Sequence, residues 1–328
     1  MNWLITGGCG FLGTSLIKRL VMEGGHRIRV VDNLSVGTCD DLAAVCEFTE
    51  INSESLGDKS SAMVELIVGD ILDEQLALAA AKGMDIIVHF AANTGVGPSV
   101  EDPRMDCVTN VIGTFNYLEA ARHNKVSRFI FASSGAPAGE VKPPIHEELP
   151  PHPVSPYGAS KLAGEGYCSA FYRTFGIKTI ALRFGNVYGP LSKHKNSVVA
   201  KFFKQALNGE PLEIYGDGSQ TRDFIYIDDL IQAVLLSAQV DIGGEAFQIA
   251  THKETTVGEI AKSIKKLVET RTGKEVAISF GETRLGDVKR NYSDISKARR
   301  MLKFEPAFDL EKGLQETLLY YNASVDPR

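Results

Sequence analysis

The sequence predicts an α/β fold in which a doubly wound parallel sheet is joined to a smaller C-terminal α/β domain. The chain has 328 residues, so one large or two unequal domains are expected. In its first half, short β-branched runs alternate with helical patterns, and each run is nearly continuously apolar. Strands have this character when helices cover both faces of a parallel sheet. A glycine-rich turn after the first run is a third indication.

The apolar runs predict strands at 3–6, 27–32, 64–70, 85–90, 128–133 and 178–184. Helices are predicted between them at 11–23, 105–123 and 157–175. After about Asn186 the pattern changes to longer helices with short strands, the helices being predicted at 201–208, 228–238, 256–269 and 310–321. Two domains are therefore predicted. The first is a sheet domain over 1–185, to which the chain comes back at about 222–250, the return segment, and the second is formed mainly by 186–328. Seven of the thirteen prolines lie in 137–156, which predicts a stiffened loop there.

The composition disfavours several classes of function. The 35 basic and 41 acidic side chains sum to −6, which leaves no excess of positive charge for nucleic acid or a membrane surface. No apolar run approaches the ~20 residues of a membrane span, and the N-terminus lacks signal-peptide features, so a cytoplasmic protein is expected. Five cysteines without a CxxC pair and seven histidines without ligand spacing predict neither a disulfide framework nor a metal site.

The turn at residues 6–13 has glycines at GxxGxxG spacing. Gly7 permits a tight turn, Gly10 lets the backbone approach a pyrophosphate, and Gly13 lets the helix pack closely on the strand. A glycine triplet alone could also be an ordinary loop. Its position between the first strand and the first helix favours dinucleotide binding, and with it a Rossmann-type sheet.

The end of the second predicted strand supports the same interpretation. Asp32 lies nineteen residues after Gly13, where a carboxylate can accept hydrogen bonds from ribose hydroxyls. Its neighbours Asn33 and Leu34 provide no arginine for a 2′-phosphate, so NAD is favoured over NADP as the cofactor. Asp70, at the end of the third strand, is either a helix cap for Leu72 onward or an adenine contact.

A second constellation lies in the segment 155–161. Tyr157 and Lys161 are at i and i+4, on one face of a helix whose first turn is marked by Pro156. Tyrosine needs its pKa lowered by ~3 units to act as a base near neutral pH. A lysine ammonium and an oxidised nicotinamide could provide that charge. The pair could also be a chance surface arrangement, but it follows a dinucleotide-binding turn.

With these motifs the chain resembles the extended short-chain dehydrogenase/reductases, and more narrowly the NAD-dependent nucleotide-sugar epimerases and dehydratases of the UDP-glucose 4-epimerase type. The resemblance covers essentially the whole length. Beyond the two motifs above it rests on ordered matches at 32–35, 69–71, 89–93, 110–114, 131–134, 182–190, 220–224 and 284–287.

The resemblance implies roles for individual residues. Ser134 would hydrogen-bond the sugar hydroxyl that is oxidised, Tyr157 would take its proton, and Lys161 would hold the nicotinamide ribose and lower the tyrosine pKa. The cofactor-binding set would comprise Gly7, Gly10, Phe11, Leu12, Gly13, Asp32, Asn33, Asp70, Ile71, Phe90, Ala91, Ala92 and Asn110, together with Tyr157 and Lys161. The nucleotide diphosphate, most simply of a UDP-hexose, would contact Asn186, Asn196, Arg222 and Arg284. Surface ion pairs are the alternative for both arginines.

The loop after Ser134 separates the chemistries within the family. Dehydratases and decarboxylases that resemble this chain have a catalytic Glu at the position of Ala136, because their reactions need another acid or base. The alanine favours epimerisation, at C4 or, as in some relatives, at C2. A nucleotide-sugar reductase or dehydrogenase is the alternative enzyme, and a catalytically silent NAD-binding sensor is a third hypothesis.

Two further expectations come from the resemblance. The Pro137-Ala138 pair replaces a usual Val-Tyr, which is expected to reshape the space behind the serine, and Asn291 is either a gate for N-acetyl groups or a surface residue. A homodimer is implied, with the helices at 105–123 and 157–175 packed against a second copy.

Overall fold

The computed structural model describes residues 1–52, 62–283 and 288–325. Its strands are β1 (Asn2–Thr6), β2 (Arg27–Asp32), β3 (Thr49–Glu50), β4 (Val64–Val68), β5 (Ile86–His89), β6 (Arg128–Ser134), β7 (Lys178–Phe184), β8 (Asn186–Tyr188), β9 (Leu212–Tyr215), β10 (Thr221–Arg222), β11 (Phe224–Tyr226), β12 (Glu245–Ile249), β13 (Thr255–Thr256) and β14 (Ile278–Gly281). Its α-helices are α1 (Phe11–Glu23), α2 (Cys39–Ala43), α3 (Glu74–Ala80), α4 (Val96–Glu101), α5 (Pro103–Cys107), α6 (Gly113–His123), α7 (Pro156–Phe175), α8 (Val198–Asn208), α9 (Ile227–Gln239), α10 (Val257–Thr272), α11 (Ser296–Leu302) and α12 (Leu310–Val325).

The main sheet has eight strands in the order β12-β7-β6-β5-β1-β2-β4-β3. The pairs β1 with β2, β1 with β5, β5 with β6, and β6 with β7 are all parallel. The strand order reverses at β1, and such a switch point is where doubly wound sheets bind their ligands, at the carboxyl ends of the strands. The predicted fold class, a doubly wound parallel sheet of the Rossmann type, is confirmed.

The continuous apolar runs are explained by burial on both faces. Leu4 and Ile87 are completely buried on one face, in a core cluster with side chains of the flanking helices. Ile5 and Val88, in register on the opposite face, are completely buried as well. A strand covered on only one face would alternate apolar and polar residues. The continuous apolar runs therefore follow from burial of both faces of the sheet.

The chain forms two compact units. The first contains residues 1–140, 147–184 and 231–247, and the second contains 141–146, 185–230 and 248–328. The return segment is thus shorter than the predicted 222–250. The small piece 141–146 was not anticipated; it is tied within its own unit by the Ile145 N–H, which donates to the Tyr292 carbonyl at 2.9 Å.

The helix predicted over 105–123 consists of three consecutive parts. α5 is followed by a π-helical turn at Val108–Ile112 and then by α6. Such π-turns insert one residue into a helix and occur often at functional sites. Among the described residues, no helix combines the length and apolar character needed to cross a membrane.

Candidate active site

The glycine turn follows β1 and opens α1. Gly7 has a φ of +67°, and a Cβ there would lie 2.8 Å from the Ala91 backbone nitrogen. A Cβ on Gly13 would overlap the backbone of Gly7 and Gly8. Gly10 is the N-cap of α1 and has no side chain to cap the first turn. The turn therefore brings bare backbone to the carboxyl end of β1, which is the geometry that pyrophosphate binding requires.

Asp32 is fixed at the end of β2. One carboxylate oxygen accepts from the Cys9 N–H at 2.9 Å and the other from the Leu34 N–H at 2.9 Å. Burial raises the pKa of Asp32, and these two backbone hydrogen bonds oppose that rise. Because a carboxylate can accept about four hydrogen bonds, acceptor capacity remains for ribose hydroxyls.

Asp70 is hydrogen-bonded to Asn33, the residue that follows Asp32. The Asn33 side-chain amide donates to the Oδ2 atom of Asp70 at 2.9 Å. The other oxygen accepts from the Leu72 N–H at 2.9 Å. The helix that follows begins at Glu74 and is capped by Asp73, so Asp70 is not its N-cap. An adenine contact by Asp70 stays a prediction.

The backbone after β5 is held by a residue that the sequence did not single out. The Thr6 hydroxyl accepts from the Ala91 N–H at 3.2 Å and shares a 2.9 Å hydrogen bond with the His89 Nδ1. The segment that contains Phe90 and Ala92 is thereby fixed beside Gly7. A threonine ending a buried strand next to a glycine turn is the only sequence signal for this role.

Asn110 lies in the π-helical turn and is 1% exposed. Its Oδ1 accepts from the Asn93 N–H at 2.8 Å, while its Nδ2 lies 3.0 Å from the Asn93 carbonyl oxygen. The same Nδ2 lies 2.9 Å from an Asp106 oxygen and 3.1 Å from the Ser160 hydroxyl. The amide thus connects the loop after β5 to two helices, and its predicted contact with the cofactor stays a prediction.

Ser134, Tyr157 and Lys161 are brought together at the end of β6 and in the first turns of α7. The Ser155 hydroxyl caps α7 by accepting from the Gly158 N–H at 3.1 Å. A hydrogen bond joins the hydroxyls of Ser134 and Tyr157. Lys161 is 3% exposed, donates to a β6 carbonyl at 2.9 Å, and has its Nζ 5.8 Å from the Tyr157 ring centroid.

The electrostatics of this trio depend on burial. Burial raises the pKa of Tyr157; the hydrogen bond from Ser134 lowers it, and the nearby charge of Asp106 raises it further. Burial lowers the pKa of Lys161 to about 8, although the carboxylates of Asp106 and Glu165 oppose this. The predicted lowering of the tyrosine pKa therefore remains a prediction for the cofactor-bound enzyme.

A buried ion pair holds together the elements that carry Ser134, Tyr157 and Lys161. Glu165 in α7 accepts from the Arg183 guanidinium at 2.8 and 2.7 Å, and from the Ser133 hydroxyl at 2.5 Å. Ser133 precedes Ser134, and Glu165 is one helical turn after Lys161. The network therefore ties β6, β7 and α7 together, and its sequence signal is an arginine within an otherwise apolar strand.

The five residues directly after Ser134, 135–139, contain no acidic or basic side chain. Residues 136–138 form a short 3₁₀ helix, and the Ala136 N–H donates to the Ser134 hydroxyl at 3.1 Å. A Cβ on Gly135 would meet no atom within 4 Å, so this position is open. Ala138, where an aromatic ring was expected from the resemblance, is 2% exposed.

The predicted substrate residues that the structure describes lie in the second unit. Asn186 begins β8, and its N–H donates to the Asp223 carbonyl at 2.8 Å. Arg222 ends β10 and donates to the carbonyl of Val288 at 2.7 Å. Asn196 is exposed before α8. Arg284 lies outside the described residues.

Known proteins are similar to this chain over almost its whole length. The model of the NAD-dependent epimerase/dehydratase family matches residues 3–250. The chain is 33% identical over 326 residues to a UDP-glucose 4-epimerase of Mycolicibacterium smegmatis, with 98% of each chain covered. A UDP-glucose 4-epimerase of Thermotoga maritima, solved with UDP-glucose, matches with a TM-score of 0.88 and 34% identity over 99% of this chain and 100% of its own. The UDP-glucose 4-epimerase of Thermus thermophilus, solved with NAD, matches with a TM-score of 0.85 and 30% identity. The match covers 99% of this chain and 100% of the Thermus thermophilus chain.

The structure combines a doubly wound sheet, a glycine turn at its switch point and a Ser/Tyr/Lys trio. These features are typical of enzymes that oxidise or reduce a substrate with a dinucleotide cofactor. The chain belongs to the NAD-dependent epimerase/dehydratase family. The family and the dependence on NAD that the sequence predicts are confirmed.

Proposed function

We propose that the protein interconverts UDP-hexoses by inverting the sugar C4 carbon and that it retains NAD throughout the cycle. The observation that carries this proposal is the Ser134–Tyr157–Lys161 trio beside a loop in which Ala136 takes the place of an acid or base. Removing and returning a hydride needs one proton acceptor, whereas loss of water or of carbon dioxide needs another catalytic group. The predicted epimerase class is confirmed by the family match and the similar enzymes.

The residues present fit NAD. Side chains at Gly7 or Gly13 would overlap neighbouring backbone, so the turn can bring its backbone close to a pyrophosphate only with glycine at these positions. Asp32 is held in place by two backbone N–H groups and keeps acceptor capacity for ribose hydroxyls. When bound, NAD⁺ takes up a hydride from the sugar and gives it back to the opposite face of the keto-sugar.

The protein's own residues would handle the proton. Tyr157 would remove the proton from the C4 hydroxyl, and Ser134, already hydrogen-bonded to that tyrosine, would orient the same hydroxyl. Lys161 would place its positive charge near the tyrosine oxygen and bind the nicotinamide ribose. After the keto-sugar has turned over, Tyr157 would return the proton to the same C4 oxygen as the hydride comes back to carbon, which completes the inversion without net oxidation.

The nucleotide is proposed to bind the second unit. Asn186, Asn196, Arg222 and Arg284 are the proposed contacts, and the arginine fork suits the diphosphate oxygens. The UDP-glucose bound in the similar Thermotoga maritima enzyme supports a uridine nucleotide here.

A homodimer is part of the proposal. In α7, the side chains of Tyr167 and Phe175 are 41% and 46% exposed, and Phe115 from α6 lies 5.2 Å from the Tyr167 ring, centroid to centroid. Met105 and Ile112, in the segment before α6, are 52% and 48% exposed. Such an accumulation of exposed apolar side chains is typical of a surface covered by a partner. A cytoplasmic location is also proposed, since all five cysteines are free.

The test uses the purified protein with UDP-glucose, UDP-galactose and their N-acetyl forms. We expect interconversion at C4, followed by NMR, with no net change in NADH absorbance. The Tyr157→Phe variant should lose at least about 100-fold in kcat, the usual value of a general base, while it still binds NAD. Tyr167→Phe, the same change ten residues later on α7, is the matched control and should remain active.

Each alternative has its own result. Stoichiometric formation or consumption of NADH would identify a reductase or dehydrogenase, and inversion at C2 would identify the other epimerase. NAD and nucleotide binding without turnover by the unchanged enzyme would indicate a sensor. Any of these three results would refute the proposed reaction.

A further inference from the structure

Asp106 is a buried carboxylate that the proposed mechanism does not use. It lies in α5, is 1% exposed, and accepts one hydrogen bond, from the Asn110 amide at 2.9 Å. Among the described residues, its second oxygen is buried and has no hydrogen-bond partner. A buried carboxylate oxygen without a donor is costly, so this oxygen calls for an explanation.

The helices place Asp106 beside the trio. α5 and the π-helical turn both pack against α7, the helix that carries Tyr157 and Lys161. Asn110, to which Asp106 is bonded, also lies within 3.1 Å of the Ser160 hydroxyl, next to Lys161 in sequence. Asp106 is therefore linked to the first turns of α7 by side chains as well as by packing.

The other charged groups of this region come from three elements. Glu165 of α7 is neutralised by the Arg183 guanidinium of β7. His89 of β5 is fully buried, and burial together with the charge of Lys161 lowers its pKa to about 3, so it is neutral. Of the groups named here, Lys161 is then the remaining cation, and the charge of Asp106 acts on it. Within the described part of the chain, the hydrogen-bond donor to the Asp106 carboxylate is the Asn110 amide, not a guanidinium.

We propose that Asp106 is a positioning residue that serves as the counter-charge of Lys161 and sets the pH range in which the Tyr157–Lys161 pair is active. The inference rests on the proposed function of that pair. Asp106 makes no contact with the sugar in this role. It acts through the two α7 side chains, and through Asn110 it keeps the π-helical turn against α7.

The sign of the effect follows from its negative charge. Asp106 raises the pKa of Tyr157 and also raises that of Lys161. Without this charge, the tyrosinate would form at lower pH, which moves the rising acidic limb of the rate profile to lower pH. The ammonium would also be lost at lower pH, which moves the falling basic limb in the same direction. The whole bell-shaped profile should shift toward acid.

The test compares Asp106→Asn with Asp102→Asn. Asparagine at 106 keeps an oxygen for the Asn110 amide and removes the charge. Asp102 precedes α5, is exposed, and caps it by accepting from the Met105 N–H at 2.9 Å, a role that asparagine also fills. We expect both limbs of kcat/KM in Asp106→Asn to move down by on the order of one pH unit, and those of Asp102→Asn to stay in place.

A second measurement does not depend on turnover. The tyrosinate absorbance of the NAD-bound protein minus that of its Tyr157→Phe variant gives the titration of Tyr157 alone. This titration should move to lower pH in Asp106→Asn. If the unchanged enzyme does not interconvert UDP-hexoses, the proposed function fails, and this titration still decides the role of Asp106.

Two variants guard against a merely structural effect. Asp106→Glu keeps the charge and should restore both limbs even if kcat is lower. Asp106→Ser removes the charge by another route and should give the same shift if Asp106→Asn does not fold. Loss of activity with both limbs and the titration unmoved in a folded, uncharged variant would overturn the proposal.

Discussion

The buried Arg183–Glu165 ion pair has an exposed counterpart with the same hydrogen-bond lengths, Arg299–Glu305. The free-energy cost of breaking a buried pair can therefore be compared with that of breaking an exposed one. The side chains of the buried pair are 7% and 8% exposed, and the two hydrogen bonds are 2.8 and 2.7 Å long. Arg183→Met leaves the Glu165 carboxylate buried with the Ser133 hydroxyl in place of a cation. Removing one partner of such a pair costs about 3–5 kcal/mol. At about 2–4 °C per kcal/mol, Tm should fall by about 10 °C.

The matched control is Arg299→Met. Arg299 binds Glu305 at 2.8 and 2.7 Å, but the two side chains are 43% and 64% exposed. An exposed pair contributes about 0–1 kcal/mol, so this variant should unfold within a few degrees of the unchanged protein. A double variant, Arg183→Met with Glu165→Leu, removes both buried charges and should be more stable than Arg183→Met alone.

The assay is urea unfolding and thermal unfolding followed by circular dichroism. If Arg183→Met destabilises the protein no more than Arg299→Met does, the argument from burial is wrong. The single variant Glu165→Leu is measured as well. If the double variant loses as much free energy of unfolding as Arg183→Met and Glu165→Leu lose in sum, the two charges do not interact in the way that the geometry indicates.

Three other predictions follow from the structure. Gly13→Ala should weaken NAD binding by more than about tenfold, because its Cβ would overlap backbone, whereas a Cβ on Gly166 meets no atom within 4 Å, so Gly166→Ala should bind NAD normally in fluorescence titrations. Since the pKa of Lys161 is lowered to about 8, kcat/KM should fall as pH rises through that value, and Lys161→Arg should move this limb upward if it retains activity; an unmoved limb would exclude the lysine as its origin. If the protein forms the proposed dimer, Phe175→Glu should convert it to a monomer in light scattering, while Phe280→Glu, at a residue 66% exposed in the second unit, should not; a dimer that persists in Phe175→Glu would place the interface elsewhere.

The features that the sequence predicts well are those set by local pattern. The runs 27–32 and 178–184 coincide with β2 and β7 because burial on both faces is visible in each run by itself. The helix over 157–175 begins one residue early, at Pro156, because Ser155 provides the cap. The glycine turn is predictable for the same reason, since steric demands at single positions determine it.

The features that could not be predicted depend on which buried side chains meet. Glu165 and Arg183 are eighteen residues apart in different elements, and the single-residue π insertion before α6 leaves no mark in the apolar pattern. The placement of 141–146 with the second unit likewise depends on a distant partner, Tyr292. In each case the determining contact is non-local, so spacing along the chain contains too little information.

The charges around Tyr157 connect proton transfer to the redox state of the cofactor. Among the influences on the pKa of Tyr157, burial and Asp106 raise it, and the hydrogen bond from Ser134 lowers it. A tyrosine with a raised pKa is protonated near neutral pH and so cannot accept a proton, which means that burial and Asp106 keep this hydroxyl protonated. The positive charge of an oxidised nicotinamide would then provide the decisive stabilisation of the tyrosinate. On this reasoning Tyr157 would lose its proton readily only when the hydride acceptor is ready, and a reduced cofactor would leave it protonated and able to return its proton to the oxygen of the keto-sugar.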